Sequence, residues 1–284
     1  MTISVLMGVS PSEDANNLDH AIQSIWTDQT LKPTQVILVK DGALGNDLEH
    51  VISKWENIIS DRILIISNKQ NIGLTKSLNI GIKQATGDYI ARMDSDDISM
   101  PYRFEHQVKF LENHPDIVIV GGHLQEFNSD NENLGIRKYP LDNSSILKYI
   151  HKACPLAHPT VMMRRKIFEN GIHYDERYRT CQDIALWFDV LVAGYKIANL
   201  DEVTIKFRRD GSIYKRRNRE KGKYELRIYS SGIKRLYGLC TIKYIYPVAR
   251  YLFRMMPERV VKAVYGSKFR TLLLQSKKNN TKKD

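Results

Sequence analysis

The part of the chain that decides its fold is residues 68–107, NKQNIGLTKSLNIGIKQATGDYIARMDSDDISMPYRFEHQ. Leu74, Leu78 and Ile82 are four residues apart, which predicts a helix, and residues 88–93 then form an apolar run typical of a strand. Three earlier apolar runs alternate with two further helical patterns; the runs are 4–9, 35–39 and 62–67. This alternation is typical of an α/β protein with a mostly parallel sheet and crossover helices.

The loop after the predicted fourth strand carries three carboxylates, Asp94, Asp96 and Asp97, and Asp41 follows the second strand. Ligands of such sheets bind beyond the carboxyl ends of the strands. Carboxylates this close repel one another unless a cation or hydrogen-bond donors share the site, and hard oxygen ligands favour Mg²⁺ or Mn²⁺. The position therefore favours a metal–diphosphate site. A solvated acidic turn that caps the next helix remains the alternative for the bare motif.

Charge and composition exclude several classes of protein. The chain has 284 residues, of which 42% are hydrophobic and 26% charged, so it is neither disordered nor collagen-like. Its apolar runs are shorter than the ~20 residues of a membrane-spanning helix, and the N-terminus does not look like a secretory signal. The three cysteines, Cys154, Cys181 and Cys240, are far apart. They suit a protein of the reducing cytosol.

Residues 4–191 resemble the family 2 inverting glycosyltransferases of the GT-A fold, in particular bacterial enzymes that build surface polysaccharides and O-antigen. Besides residues 68–107, the resembling segments are SVLMGVS at 4–10, VILVKDG at 36–42, HPTVMMRRKIF at 158–168 and YDERYRTCQDIALWFDV at 174–190. The resemblance implies a Rossmann-like, mostly parallel central sheet with flanking helices. We expect a catalytic domain over 1–204, with a nucleotide-sugar part at about 1–97 and an acceptor part at about 98–204, followed by a basic helical region over 205–284.

The resemblance also implies which residues bind the nucleotide sugar and the metal. The expected nucleotide-sugar contacts are Val9, Ser10, Asp41, Asn71, Gly73, Lys76, Arg92, Asp94, Ser95 and Asp97. Asp96 is expected to bind Mn²⁺ or Mg²⁺, with His158 as a second ligand. Taken alone, Asp41 also fits a turn before a glycine, Lys76 a solvated helix start and His158 an ordinary loop. The first loop departs from the family's more common Pro–aromatic–Asn pattern.

Asp183 aligns with the catalytic base of the family's Glu-Asp motif, although Gln182 replaces the glutamate. The implied reaction is a single displacement with inversion, in which Asp183 takes the proton of the acceptor hydroxyl. The expected donor is a UDP-sugar, and the expected acceptor is an undecaprenyl-diphosphate-linked saccharide. The alternative from the residues alone is that Asp183 is the N-cap of the helix that carries Trp187. The spacing of Trp187 predicts that it lies in the core.

The C-terminal region is strongly basic, with 23 Lys and Arg against 7 Asp and Glu over residues 201–284. Its basic stretch at 205–235, including Lys206, Arg208, Arg209, Lys215, Arg216, Arg217 and Arg219, could clamp diphosphates. Apolar and aromatic faces flanked by cations at 243–256 and 259–273 predict helices on an anionic inner-membrane surface, which implies a cytoplasmic, peripheral enzyme. A helix packed on the catalytic domain and a homodimer are the alternatives.

Two rival functions remain at this stage. A nucleotidyltransferase that makes sugar nucleotides would also have an α/β sheet and an acidic metal site, but it would normally show a Gly-rich basic loop after its first strand. Residues 10–14, SPSED, are acidic instead. A nucleic-acid binder would use the basic region and leave the acidic half without a role, so we expect no nucleic-acid partner.

Overall fold

The structure, a computed structural model, describes residues 1–209 and 219–256. These residues form one nine-stranded sheet with helices on both faces. The strands are β1 Ile3–Val9, β2 Gln35–Lys40, β3 Ile63–Ser67, β4 Tyr89–Asp94, β5 Ile98–Ser99, β6 Ile117–Phe127, β7 Asn133–Arg137, β8 Met162–Arg164 and β9 Lys196–Arg208. The α-helices are α1 Ala15–Trp26, α2 Asn46–Ile59, α3 Leu74–Ile82, α4 Arg103–Asn113, α5 Asn143–Tyr149, α6 Lys166–Glu169, α7 Gln182–Val192, α8 Arg219–Tyr237 and α9 Ile245–Met255.

The first four strands form the parallel unit that the sequence predicts. In the strand order β3-β2-β1-β4-β8-β6-β9-β5, the pairs among β1 to β4 are all parallel. Beyond β4 the sheet becomes mixed, because β8 pairs antiparallel with both β4 and β6, while β6 and β9 are parallel. The loop after β4 therefore lies near the middle of the sheet, where the parallel part meets the mixed part.

Two hydrophobic clusters cover the two faces of the sheet. One includes residues of α1, α2 and α4, and the other includes residues of α3, α7 and α8. In α2 the buried residues are Leu48, Ile52, Trp55 and Ile59, which recur every three or four positions. Trp187 is completely buried, as its helical spacing predicts.

Two glycines inside β6 allow a close approach of β9. A Cβ at Gly121 would lie 2.3 Å from Asn199 Oδ1, and one at Gly122 would lie 2.4 Å from the Thr204 methyl carbon. Both neighbours belong to β9, which pairs with β6 along most of its length. The apolar run 117–120 predicts a strand that leads into Gly121, but the strand continues to Phe127 because glycine suits such tight packing against a neighbour.

The region after residue 204 is continuous with the body of the protein. β9 runs from Lys196 to Arg208, across the position at which the sequence analysis divides the chain. α8 packs against α7: Ile228, Tyr229 and Ile233 are buried in the same cluster as Trp187. Residues 210–218 and 257–284 lie outside the described residues. The basic residues at 215–217 and the predicted helix at 259–273 therefore receive no structural description.

Candidate active site

The three carboxylates after β4 form one cluster. One oxygen from each of Asp94, Asp96 and Asp97 lies within 4.8 Å of the others. The backbone N–H of Arg208 donates to Asp97 Oδ1 at 2.9 Å, and Arg208 Nε donates to the Asp96 carbonyl at 3.1 Å. Arg208 is the last residue of β9, so the strand that lies far along the sequence holds the acidic loop in place.

The electrostatics of this cluster fit a divalent cation. Burial, together with the charges of Asp94 and Glu13, raises the pKa of Asp96 to about 6. Burial and the charges of Asp94 and Asp96 raise the pKa of Asp97 well above its usual range. Asp97 Oδ2 is buried and receives no hydrogen bond from the described residues. An added positive charge would relieve both the repulsion and the unpaired oxygen, and carboxylates are ligands that Mg²⁺ and Mn²⁺ accept.

Asp183 and Asp94 line the same cavity, which has a volume of about 510 Å³. We call it the catalytic cavity; Arg92, His158 and Tyr139 also line it. The cluster comes from the end of β4 and Asp183 from the first turn of α7, so the two acidic groups approach from separate elements. The cavity is thus lined by carboxylates from two separate elements, and it is large enough for a sugar.

The local structure around Asp183 holds its carboxylate in a defined place. Cys181 is the N-cap of α7 and has a left-handed backbone with φ 64°, which is uncommon for a residue other than glycine. The half-buried Cys154 has a single S–H, and its sulfur lies 3.1 Å from the Leu156 carbonyl oxygen and 3.6 Å from Asp183 Oδ2, so the thiol can donate to either acceptor. Asp183 is the second residue of the helix, so the alternative that it acts as the N-cap is wrong. The helix dipole favours a carboxylate at its position.

Arg92 and His158 are buried at the inner wall of the catalytic cavity. Arg92 forms an ion pair with Asp94, and its Nε and Nη1 have no hydrogen-bond partner among the described residues. His158 Nε2 lies 2.7 Å from the hydroxyl of Tyr174, and burial followed by the charge of Arg92 lowers the pKa of His158 well below 6.5. The histidine is therefore neutral, as a metal ligand must be, but the group of possible metal ligands among the described residues contains the three aspartates and not His158.

Asp41 is buried and organises the loop that the resemblance assigns to the nucleotide. Its Oδ1 accepts from the backbone N–H of Ile72 at 2.8 Å, and its Oδ2 accepts from Gly73 at 2.9 Å. Gly73 has φ 89°, a conformation that favours glycine. A second cavity of about 450 Å³ is lined by Asn71, Gly73 and Lys76, which the sequence analysis also assigns to the nucleotide.

The remaining predicted contacts lie around the carboxyl end of β1. Val9 is the last residue of that strand and is buried, and Asp41 donates its backbone N–H to the Val9 carbonyl at 2.8 Å. Ser10 Oγ lies 2.8 Å from Ser12 Oγ. Ser95, which is buried, donates its hydroxyl to Glu13 Oε2 at 2.6 Å. The structure thus joins the first loop to the aspartate cluster through Glu13.

Several residues of the site were missed by the sequence analysis. Cys154 and Glu13 contact predicted site residues from distant loops, and nothing in their local sequence indicates this. Arg103 is completely buried and donates to the carbonyls of Arg92 and Val161 at 2.7 and 3.3 Å. Its position within the resembling stretch was the only available signal.

Known glycosyltransferases resemble this chain along most of its length. The family model described as "Glycosyl transferase family 2" matches residues 12–172. The amylovoran biosynthesis glycosyltransferase AmsE of Erwinia amylovora is 30% identical over 264 residues, which are 92% of this chain and 97% of that protein. The UDP-Gal:alpha-D-GlcNAc-diphosphoundecaprenol beta-1,3-galactosyltransferase of Escherichia coli is 31% identical over 214 residues, 75% of this chain and 76% of that protein.

Solved structures share the fold at low sequence identity. S. aureus TarS 1–349 in complex with UDP-GlcNAc has a TM-score of 0.64 at 18% identity and covers 89% of this chain and 72% of its own. The mannosyltransferase PcManGT from Pyrobaculum calidifontis, in complex with GDP-Man and Mn²⁺, has a TM-score of 0.64 at 13% identity. The likeness covers 98% of this chain and 79% of PcManGT. These likenesses confirm the GT-A fold.

Proposed function

Because this chain belongs to glycosyltransferase family 2, of the bacterial surface-polysaccharide type, we propose that it transfers a hexose from a nucleotide sugar to a hydroxyl of a lipid-linked saccharide, with inversion at the anomeric carbon. The observation that carries the proposal is the shared cavity of Asp94 and Asp183. Family membership favours glycosyl transfer over nucleotidyl transfer and over nucleic-acid binding.

In the proposed reaction, Asp183 accepts the proton of the acceptor hydroxyl while the oxygen of that hydroxyl attacks the anomeric carbon. The bond between that carbon and the diphosphate oxygen breaks at the same time, and the nucleoside diphosphate leaves on the opposite side. The Cys154 thiol lies 3.6 Å from Asp183 Oδ2, where its hydrogen bond would orient the carboxylate. A single displacement of this kind requires no covalent intermediate with the enzyme.

The aspartate cluster is the proposed metal site, with Asp96 as the principal ligand. Asp97 Oδ2, which lacks a partner among the described residues, offers a further oxygen, and we retain His158 as a proposed ligand. Bound there, Mn²⁺ or Mg²⁺ would supply a Lewis acid for the charge that develops on the leaving diphosphate. Asp94, paired with Arg92, is the proposed contact for the ribose or the donor sugar.

A UDP-sugar is the preferred donor, and an undecaprenyl-diphosphate-linked saccharide is the proposed acceptor. The name of the E. coli relative, which includes both chemical groups, supports this pair. PcManGT was solved with GDP-Man, so the donor test must include other bases. Because a lipid-linked acceptor lies in a membrane, the proposed acceptor also supports the proposal that the enzyme is a peripheral protein on the inner face of the cell membrane.

α9 presents the proposed membrane surface. Within the described residues, no helix is both long and apolar enough to cross a membrane. Apolar side chains recur every three or four residues along α9 and the residues next to its ends: Ile242 in the preceding 3₁₀ turn, Ile245, Val248 and Leu252 in the helix, and Met256 directly after it are between 41% and 78% exposed. The net positive charge of residues 201–284 complements anionic lipid headgroups. We define these five residues as the α9 stripe.

The enzymatic proposal is tested by the release of nucleoside diphosphate from UDP-, GDP- and dTDP-sugars, with Mn²⁺ and a short-chain polyprenyl-diphosphate saccharide. We expect turnover with one UDP-hexose, and a product of inverted anomeric configuration by NMR. Retention of configuration would overturn the inverting mechanism. Failure of every donor to bind or turn over would overturn the proposed function.

The membrane proposal is tested by flotation with phosphatidylglycerol vesicles. The double variant Ile245→Glu with Leu252→Glu removes apolar area from the α9 stripe. The control is the double variant Ile58→Glu with Ile136→Glu, which changes two residues of similar exposure outside the stripe. We expect only the first pair to abolish flotation. Equal flotation of both variants would refute the α9 stripe as the contact surface.

A further inference from the structure

Arg179 lies between the catalytic cavity and the second cavity, and it lines both. It belongs to the loop that leads into α7, four residues before Asp183. Its side chain lies across Gly73: a Cβ added at Gly73 would be 3.5 Å from Arg179 Nε. Lys221, in the first turn of α8, also lines the catalytic cavity. Two cations from separate elements therefore share this cavity with the proposed base.

These two cations differ from the other cations of the catalytic cavity. Arg92 is paired with Asp94, and Arg137 is paired with Glu126. Neither Arg179 nor Lys221 forms an ion pair with any acidic residue in the two described ranges. Two uncompensated positive charges beside a binding cavity attract a multiply charged anion.

We propose that Arg179 and Lys221 form a binding site for a diphosphate group, which we assign to the acceptor. The assignment rests on the proposed function, in which the acceptor is a saccharide linked to a lipid through a diphosphate. Arginine presents several N–H donors that match phosphate oxygens, and lysine adds a compact charge. A diphosphate held here would place the attached saccharide in the catalytic cavity, beside Asp183.

The position of the two cations favours the acceptor over the donor as the source of the diphosphate. The donor's diphosphate belongs at the aspartate cluster, on the β4 side of the catalytic cavity. The two cations come instead from the loop that leads into α7 and from α8, which packs on α7, and Asp183 lies in the first turn of α7. Arg179 also lines the second cavity together with the expected nucleotide contacts Gly73 and Lys76, so UDP binding has to be measured separately from acceptor binding.

The test compares two double variants with equal loss of charge. Arg179→Gln with Lys221→Gln removes the proposed site. Arg227→Gln with Lys223→Gln is the matched control: both residues are exposed on α8, and neither lines either cavity. Each variant is assayed for the KM of the polyprenyl-diphosphate saccharide at saturating donor, the KM of the same saccharide on a neutral alkyl chain, and the Kd of UDP with Mn²⁺ by calorimetry.

We expect the site variant to raise the KM of the diphosphate acceptor by about tenfold or more, with no change for the neutral acceptor or UDP, and the control variant to change none of the three. A weaker Kd for UDP alone would keep a diphosphate site but overturn its assignment to the acceptor. Unchanged values for both diphosphate ligands would overturn the site. Because wild-type turnover is measured in the same assay, failure of the site is distinguishable from failure of the proposed function.

Discussion

Replacing Gly232 by alanine tests whether α8 is a structural part of the catalytic domain. In an exposed helix this change stabilises the protein by about 1 kcal/mol, because alanine has a higher helix propensity. In this structure a Cβ at Gly232 would lie 2.3 Å from both Cγ and Cδ1 of Phe188 on α7. Phe188 is completely buried and packs edge-on against Tyr229 at 5.7 Å, so its ring has little room to move.

The expected magnitude follows from these two opposing effects. Overpacking a core typically costs about 1–3 kcal/mol, and contact with atoms near the base of the ring places this case at about 3 kcal/mol. Subtracting the gain in helix propensity leaves a net loss of about 2 kcal/mol in the free energy of unfolding. For a chain of this size, the loss corresponds to a Tm lowered by about 3–4 °C.

Gly222, ten residues earlier on α8, is the matched control. Its added Cβ would meet Arg254 Cδ at 3.4 Å, an ordinary contact, so Gly222→Ala is expected to be neutral or to stabilise by up to about 1 kcal/mol. Urea unfolding followed by circular dichroism measures both variants. The reasoning is refuted if Gly232→Ala is as stable as Gly222→Ala. Recovery of part of the loss by Phe188→Leu in the Gly232→Ala background would identify the ring as the cause.

Three further predictions concern the site and its charges. Asp96→Asn should weaken Mn²⁺-dependent UDP binding by about tenfold or more, measured by calorimetry, while metal-free UDP binding changes little. Asp183→Asn should lower kcat by about 10²–10⁴-fold at unchanged Kd for UDP and Mn²⁺; wild-type kcat would remove Asp183 as the base. Burial of His151 and the charges of Lys243 and Lys152 lower its pKa in the folded protein from 6.5 to about 4. Between these two pH values, the unfolded chain therefore binds more protons at this histidine than the folded protein does. Stability should therefore fall as pH decreases through this window, and His151→Gln should reduce the slope by at most about 1.4 kcal/mol per pH unit in urea titrations; an unchanged slope would contradict the lowered pKa.

Local sequence patterns were sufficient for the parallel half of the fold. Each strand from β1 to β4 is a short apolar run, and each following helix repeats its apolar residues every three or four positions. Which face of a helix is buried was harder to predict. In α2, Val51, Trp55 and Ile58 recur at helical spacing and predict the buried face, but Ile58 is 51% exposed and Ile59 is buried instead. Both sets fit a helical period, and only packing against the sheet distinguishes them.

The mixed half of the sheet could not be derived in the same way. β8 has three residues and inserts between β4 and β6, which precede it by many positions. Such pairings depend on contacts between distant segments, which local periodicity does not encode. The same limit applies to α8: its basic composition suggested a separate arm, whereas its buried residues Ile228, Tyr229 and Ile233 pack on α7.

The amino-acid sequence by itself determined the order of the early strands and helices and the aspartates at the end of β4, because each depends on neighbouring residues in the chain; the candidate base at the start of α7 came from the resemblance of a longer stretch. Only the tertiary structure decided that Asp94 and Asp183 line one cavity, that the Cys154 thiol lies beside Asp183, and that Arg179 and Lys221 line the same cavity. The first of these relations joins residues that are about 90 positions apart, and all of them exist only once the two faces of the sheet have buried their apolar side chains.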